Sequence, residues 1–158
     1  MVLVLVIGDL HIPHRTHDLP QKFKKLLLPG KIQQILCTGN VCDRETLEYL
    51  RTISPDVYLV SGDYDDPSLS HTGVSHTLTH APIRIGLLHG HQAVPPASLP
   101  ALSALARQMD VDVLVSGHTH LVQAVAYEGR FFLNPGSATG AWAPGVQGCV
   151  PFSPLGRR

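Results

Sequence analysis

The chain has 158 residues, with 12 Lys plus Arg against 12 Asp plus Glu. That length suits one domain with a real core, and 15% charged against 44% hydrophobic residues excludes a disordered chain. Zero net charge argues against a general nucleic-acid binder, which needs clustered positive charge. Ten of the residues are histidines, and imidazole is the commonest metal ligand.

Residues 2–7 form a branched aliphatic run that predicts a strand buried on both faces. The run is too short for a secretory signal and lacks a basic flank. No segment approaches the ~18 apolar residues that cross a bilayer, so direct membrane insertion is not expected. The strand leads into Gly8-Asp9-Leu10-His11, at the C-terminal strand end where α/β sheets bind ligands. Phe23, Leu26 and Leu27 predict a helix over 19–28, stopped by Pro29-Gly30. Periodicity alone places Leu3 and Leu26 in the core.

Strands are predicted at 32–37 and 57–60, with a helix over Arg44–Ile53 capped by Asp43 and carrying Glu45 in its first turn. Residues 66–75 read as a surface loop. Ser75–His80 and Ile83–Leu88 predict a hairpin across Ala81-Pro82. A helix over 98–109, a strand at Val113–Val115 and a hairpin from 121–126 to 130–133 follow, the last turning at Glu128-Gly129. Asn134-Pro135-Gly136-Ser137 reads as a turn. Trp142 is expected to pack, since an indole is seldom left exposed. Beyond 141 the prolines and glycines predict no element, so the division is a domain at 1–141 and a tail at 142–158. Cys37, Cys42 and Cys149 lack zinc-ligand spacing and read as ordinary thiols. The alternation of strands and helices predicts an α/β layered domain.

Five segments end alike, in a strand followed by a glycine-containing loop: Asp9/His11, Asn40, Asp63, His89/His91 and His118/His120. Strand ends of one sheet layer would bring these side chains to one edge. Mixed carboxylate, amide and imidazole donors suit Mn, Fe or Zn better than Ca. Seven or eight donors suit two ions, and a two-metal site clamps an in-line phosphoryl displacement. For His14, His17, His71, His76 and His80 the expectation is ordinary surface or strand roles.

Asp9-x-His11, Gly39-Asn40, Gly62-Asp63-x-Asp65, His89-Gly90-His91 and Gly117-His118-x-His120 together resemble the motifs of the calcineurin-like metallophosphoesterases. That resemblance implies an α/β fold of two packed mixed β-sheets flanked by helices, with C-terminal strands that this chain lacks or has altered. It also implies two divalent ions, Zn or Mn: one among Asp9, His11, Asn40 and His120, the other among Asn40, Asp63, His89 and His118. The segments 8–15, 22–27, 29–33, 35–40 and 134–141 resemble, within that family, the metallophosphoesterase-fold subunit of the retromer coat.

Three positions depart from the catalytic members. They carry Asp where Asn40 stands and Asn where Asp63 stands, so the carboxylate between the ions is replaced by an amide that screens their repulsion poorly. They also carry a His where Tyr64 stands, and a phenol is a poor proton donor at neutral pH. Tyr64 therefore reads as a vestige beside the ligands, while His91 reads as a ligand, a support for one or a structural turn, and no catalytic residue is assigned. The resemblance implies a non-catalytic scaffold, cytoplasmic and peripheral on endosomal membranes, active in retrograde and recycling transport. Its metal-site face would dock on the large α-solenoid retromer subunit through Val94. Endosomal regulators would use an apolar patch holding Leu3 and Leu26. The alternative is an active divalent-metal-dependent phosphodiesterase.

Overall fold

In the computed structural model, residues 2–69 and 73–142 are described. His71, Cys149 and the tail beyond Trp142 lie outside them. The elements are β1 (Val4–Ile7), α1 (Gln21–Leu26), β2 (Gln34–Cys37), α2 (Arg44–Ile53), β3 (Val57–Leu59), β4 (Ser75–His80), β5 (Ile83–Leu88), α3 (Leu99–Met109), β6 (Val113–Val115), β7 (Val122–Tyr127) and β8 (Arg130–Pro135). A short 3-10 turn at Pro67–Leu69 interrupts the expected loop and buries Leu69. No helix among the described residues is long and apolar enough to cross a membrane.

The strands form two sheets. β1-β2-β3 is a parallel sheet of three strands, and β4-β5-β6-β8-β7 is a mixed sheet of five. Period-two alternation assigns the side chains to layers. Leu36 of β2, Leu87 of β5 and Val115 of β6 fill the space between the sheets. Ile35 and Cys37 of β2 face Leu47, Leu50 and Ile53 of α2. Leu88, Leu114 and Phe132 face Leu102 and Ala106 of α3. The result is helix, sheet, sheet, helix, and a fully buried Leu such as Leu36 stabilises it by about 1.5–3 kcal/mol.

Asp43 caps α2 as its sequence predicts, its Oδ2 accepting from Thr46 N at 3.2 Å, and Ser98 caps α3. Other expectations change. β1 is only partly buried along Val4, Leu5 and Val6, because among the described residues it lies at the edge of its sheet. The doubly covered strand is β2, all four of whose residues are buried. α1 spans six residues rather than ten: Pro20 stands in extended backbone before it, and Leu27 leaves helical geometry after it. Leu26 is 70% exposed and Leu3 is 53% exposed; the short helix buries none of its own residues, and the leucine that enters the core is Leu27, just after its end. Asn134 and Pro135 are not a turn but the end of β8, pairing with Gln123 and Val122. Trp142 is 46% exposed rather than packed; its backbone carbonyl, not its indole, is used, accepting from the Arg15 guanidinium.

His14 and His17 are exposed, as expected. His76 and His80 do more than line a strand. From β4 they reach the other sheet, His76 Nε2 to Leu59 O at 3.2 Å and His80 Nε2 to Gln34 Oε1 at 2.8 Å. They stitch the two layers along the β4 edge of the larger sheet.

Candidate metal centre

The five polar strand ends meet, but from two sheets rather than one. The loops after β1, β2 and β3 bring Asp9, His11, Asn40 and Asp63; those after β5 and β6 bring His89, His118 and His120. The carboxylate and imidazole donors fall into two groups, Asp9/His11/His120 and Asp63/His89/His118, with donor atoms within 4.8 Å of one another in each. Asn40 lies between them: its Nδ2 is 3.4 Å from His11 Nε2, 3.2 Å from His89 Nε2 and 2.9 Å from Asp63 Oδ1.

The backbone is bent to aim these groups. Asp9, His11, Asn40, His118 and His120 all have positive φ, between 50° and 70°, a conformation that side chains other than glycine avoid. Strain of this kind collects at functional sites and costs of order 1 kcal/mol or more per residue. Cross-loop hydrogen bonds hold it. Asp9 N donates to Gly39 O at 3.0 Å and His11 N to Asn40 O at 2.9 Å. His118 N donates to Asp9 Oδ2 at 2.8 Å, linking the two sheets.

Gly39 combines a close backbone approach with a left-handed conformation. Its φ is +95°, and a Cβ there would stand 2.7 Å from Gly62 N and 2.8 Å from Val60 O. Both neighbours are backbone atoms that have no room to move. Gly39→Ala is expected to destabilise the fold by about 3 kcal/mol or more, from strain plus overpacking. Chemical denaturation would check this, and a loss under 1 kcal/mol would show that the loops can yield.

Several supporting residues escaped the sequence reading. Asp65 accepts three backbone N–H groups: Asn40 N at 2.9 Å, Cys42 N at 2.8 Å and Gly62 N at 2.7 Å. Ser137 Oγ donates to Asp9 O and Thr139 Oγ1 to Leu10 O, so the segment after β8 clamps the first loop. Buried Asn134 bonds Gly117 O and Thr119 Oγ1, steadying the His118 loop. The only signal for Asp65 was its place in Gly62-Asp63-x-Asp65.

The electrostatics are those of groups gathered for a cation. Burial pushes the Asp9 carboxyl up to about 7, and its Oδ1 is buried without a hydrogen-bond partner. Burial and the Arg15 charge push His11 down to about 3; burial also lowers His118 and His120. In the other group burial opposes charge on both partners, yet the His89–Asp63 bond of 2.9 Å prevails. It raises His89 and, with Asn40, holds Asp63 well below the usual carboxylate range.

The donor set fits divalent cations. His11 Nε2 and His120 Nε2 face each other at 3.1 Å, close to the ~3.3 Å between two nitrogens sharing one tetrahedral zinc. The orphaned Asp9 oxygen beside them supplies the negative charge.

Tyr64 and His91 sit at the rim, both exposed. The Tyr64 ring meets His11 edge-on at 5.4 Å, and the Arg15 guanidinium lies 4.9 Å over its face. His91 stands 5.3 Å from His89, ring to ring. Val94 is 81% exposed on the loop that follows His91.

Residues 2–152 match the calcineurin-like phosphoesterase superfamily domain. The vacuolar protein sorting-associated protein 29 of Schizosaccharomyces pombe is 48% identical over 140 residues, 89% of this chain and 74% of the relative. Among solved structures, Vps29 of Chaetomium thermophilum superimposes with a TM-score of 0.86 at 48% identity, covering 91% of this chain and 76% of that one. A zinc complex of wild-type Vps29 from Entamoeba histolytica gives 0.84 at 46% identity, over 90% and 78% of the two chains. The chain thus belongs to the calcineurin-like phosphoesterase superfamily and, within it, to the vacuolar protein sorting 29 family.

Proposed function

We propose that the chain is a non-catalytic scaffold subunit of the retromer coat, held peripherally on endosomal membranes by its partners. Its metal-site face docks on the large α-solenoid subunit. Asp9, His11 and His120 take one divalent ion, and Asp63, His89 and His118 a second with lower affinity. Bound metal supplies positive charge that neutralises the carboxylates and fixes the loops.

The observation that carries this reading is the orientation of Asn40. Its Oδ1 accepts from Tyr64 N at 2.9 Å, which turns the NH₂ group toward both clusters. An N–H donor cannot ligate a cation. To bridge two ions the amide must turn over, losing the Tyr64 bond and the bond to Asp63. A catalytic centre that needs both ions together is therefore disfavoured, whereas a one-ion scaffold is not. The exposed Tyr64 beside it offers no efficient proton donor for a leaving group.

Val94 is proposed as an apolar anchor of the docking face, and Leu3 and Leu26, exposed on the surface, as a separate contact for endosomal regulators. Val94→Asp should weaken binding to the purified solenoid subunit at least ~30-fold, the size of a hot-spot loss of about 2 kcal/mol. The fold should be untouched, because Val94 is among the most exposed apolar residues described. Calorimetric titration would measure it, and unchanged affinity would remove Val94 from the interface.

One observation favours the alternative phosphodiesterase: the four imidazoles expected as ligands, His11, His89, His118 and His120, and the Asp9 carboxylate are in place. Turnover of an aryl phosphodiester with Mn²⁺ tests it. Many turnovers per minute, lost on Asp9→Ala, would overturn the scaffold-only reading.

A further inference from the structure

The rim of the centre holds a positive charge with no negative partner. Arg15 closes a turn on the first loop, its N–H donating to His11 O at 2.8 Å. Its half-buried side chain carries the guanidinium over the Tyr64 ring, 4.9 Å from the centroid. The same guanidinium donates to the Trp142 carbonyl, and Tyr64 in turn meets His11 edge-on. A ring face and a main-chain carbonyl thus hold the charge in place beside the Asp9/His11/His120 group. Tyr64, a poor proton donor, serves here as an aromatic shelf for a cation.

No carboxylate of the chain answers this charge. All 12 Asp and Glu are described residues, and none of them pairs with Arg15. The acids around the centre are committed elsewhere. Asp65 takes three backbone N–H groups, Asp63 takes Asn40 and His89, and Asp9 takes His118 N. Asp18, three positions further on, pairs with Lys24. A guanidinium has five N–H donors, and the Trp142 carbonyl satisfies only part of that capacity.

Arg15 and Val94 bracket the centre. Arg15 and Tyr64 stand on its His11 side, and His91, with Val94 on the loop beyond it, on its His89 side. A partner that covers this face covers both. Burying Val94 is favourable, but burying a guanidinium without a counter-charge is costly, and only an acceptor of matching geometry recovers the cost. A carboxylate is that acceptor, since its two oxygens meet the planar fork of an arginine bidentately.

We propose that Arg15 is a docking residue of the metal-site face, and that the partner seated there presents an Asp or Glu side chain to it. An apolar contact at Val94 and an ion pair at Arg15 then fix which way round the partner lies. A basic residue at the same place is repelled, so Arg15 selects partners as well as holding them. Because Tyr64 and Trp142 already restrain the side chain, little rotamer freedom is lost on binding. The proposal rests on the docking reading above and adds the chemistry that the solenoid subunit must carry.

Calorimetric titration with the purified solenoid subunit tests it, each variant first shown to melt cooperatively. Arg15→Gln keeps a long stem and an N–H for Trp142 but no charge, and should weaken binding ~30-fold or more. Arg15→Lys keeps the charge without the fork and should lose less. Arg15→Glu should lose most, and one Asp→Arg or Glu→Arg change at the docking end of the solenoid should restore its binding while weakening that of the unmodified chain. A residue that only shapes the loop would show no such exchange. If Arg15→Gln binds like the unmodified chain while Val94→Asp does not, the carboxylate proposal is wrong and the docking reading stands. If Gln and Lys lose alike and no reversal in the solenoid restores Arg15→Glu, the partner does not read the charge and the proposal is equally wrong. If the unmodified chain does not bind the solenoid, the docking reading fails and takes the proposal with it. Should the Arg15 variants not fold, the same reversals in the solenoid decide against the unmodified chain: none that costs ~10-fold or more overturns the proposal.

Discussion

Asp65→Ala should lower the thermal midpoint by about 10 °C, the largest effect expected of any single side chain around the centre. The carboxylate accepts N–H groups from the loops after β2 and β3 at 2.7–2.9 Å. Bonds to a charged acceptor contribute about 1.5–3 kcal/mol each, and removing one partner leaves the other unsatisfied. The three are not additive, since one group makes them all, so a total near 4 kcal/mol is the reasonable figure. For a chain of this size 1 kcal/mol moves the midpoint about 2–4 °C. Asp65→Asn retains one good acceptor but turns an NH₂ toward a backbone N–H, and should fall between. Scanning calorimetry on metal-free protein would measure both. A shift below 2 °C for alanine would mean that water replaces the carboxylate at little cost.

Asn40→Asp should reverse sign with metal. Without metal the new carboxylate stands where Nδ2 now donates to Asp63 Oδ1 at 2.9 Å. A hydrogen bond becomes a repulsion, and stability should drop by about 1–3 kcal/mol. Only the bond from Tyr64 N survives the change. With metal the same carboxylate neutralises charge between the two groups and can ligate either ion. Saturating Zn²⁺ or Mn²⁺ should therefore stabilise the variant more than the parent, the second ion adding about 2.7 kcal/mol at a hundredfold excess over its Kd. Calorimetric stoichiometry should move from one tightly held ion toward two. If the variant binds the same number of ions as the parent and melts alike without them, the amide is not what limits the second ion.

Much of this architecture could be read from the residues, because it is set by local pattern. Asp43 announces α2, α3 begins within a residue of the predicted 98–109, and strands β4 to β6 and the turn at Glu128-Gly129 fall where alternation and turn chemistry put them. All seven expected ligands lie together, since each closes a strand with a glycine nearby. What could not be read depends on partners distant in the chain. That β1 is less covered than β2 is a matter of strand order, to which the composition of either run is blind. Leu26 and Leu27 are chemically identical neighbours, and only the early end of α1 decides which is buried. Pro135 looks like a turn residue yet ends an inner strand, where its missing N–H is harmless. The role of Asp65 comes from backbone N–H groups that no motif displays.

The clamp of Ser137 and Thr139 on Asp9 and Leu10 joins residues 128 and 129 positions apart, and the His118–Asp9 bond spans 109. Contacts of such separation form slowly, because a long loop must close before they return any free energy. On a ribosome the first loop is made early but stays open until the strands β6 and β8 have emerged. Asp9 therefore waits, hydrated and unhindered, for most of synthesis. The centre closes together with the second sheet, so that a cation held there would mark a chain whose two sheets have already joined.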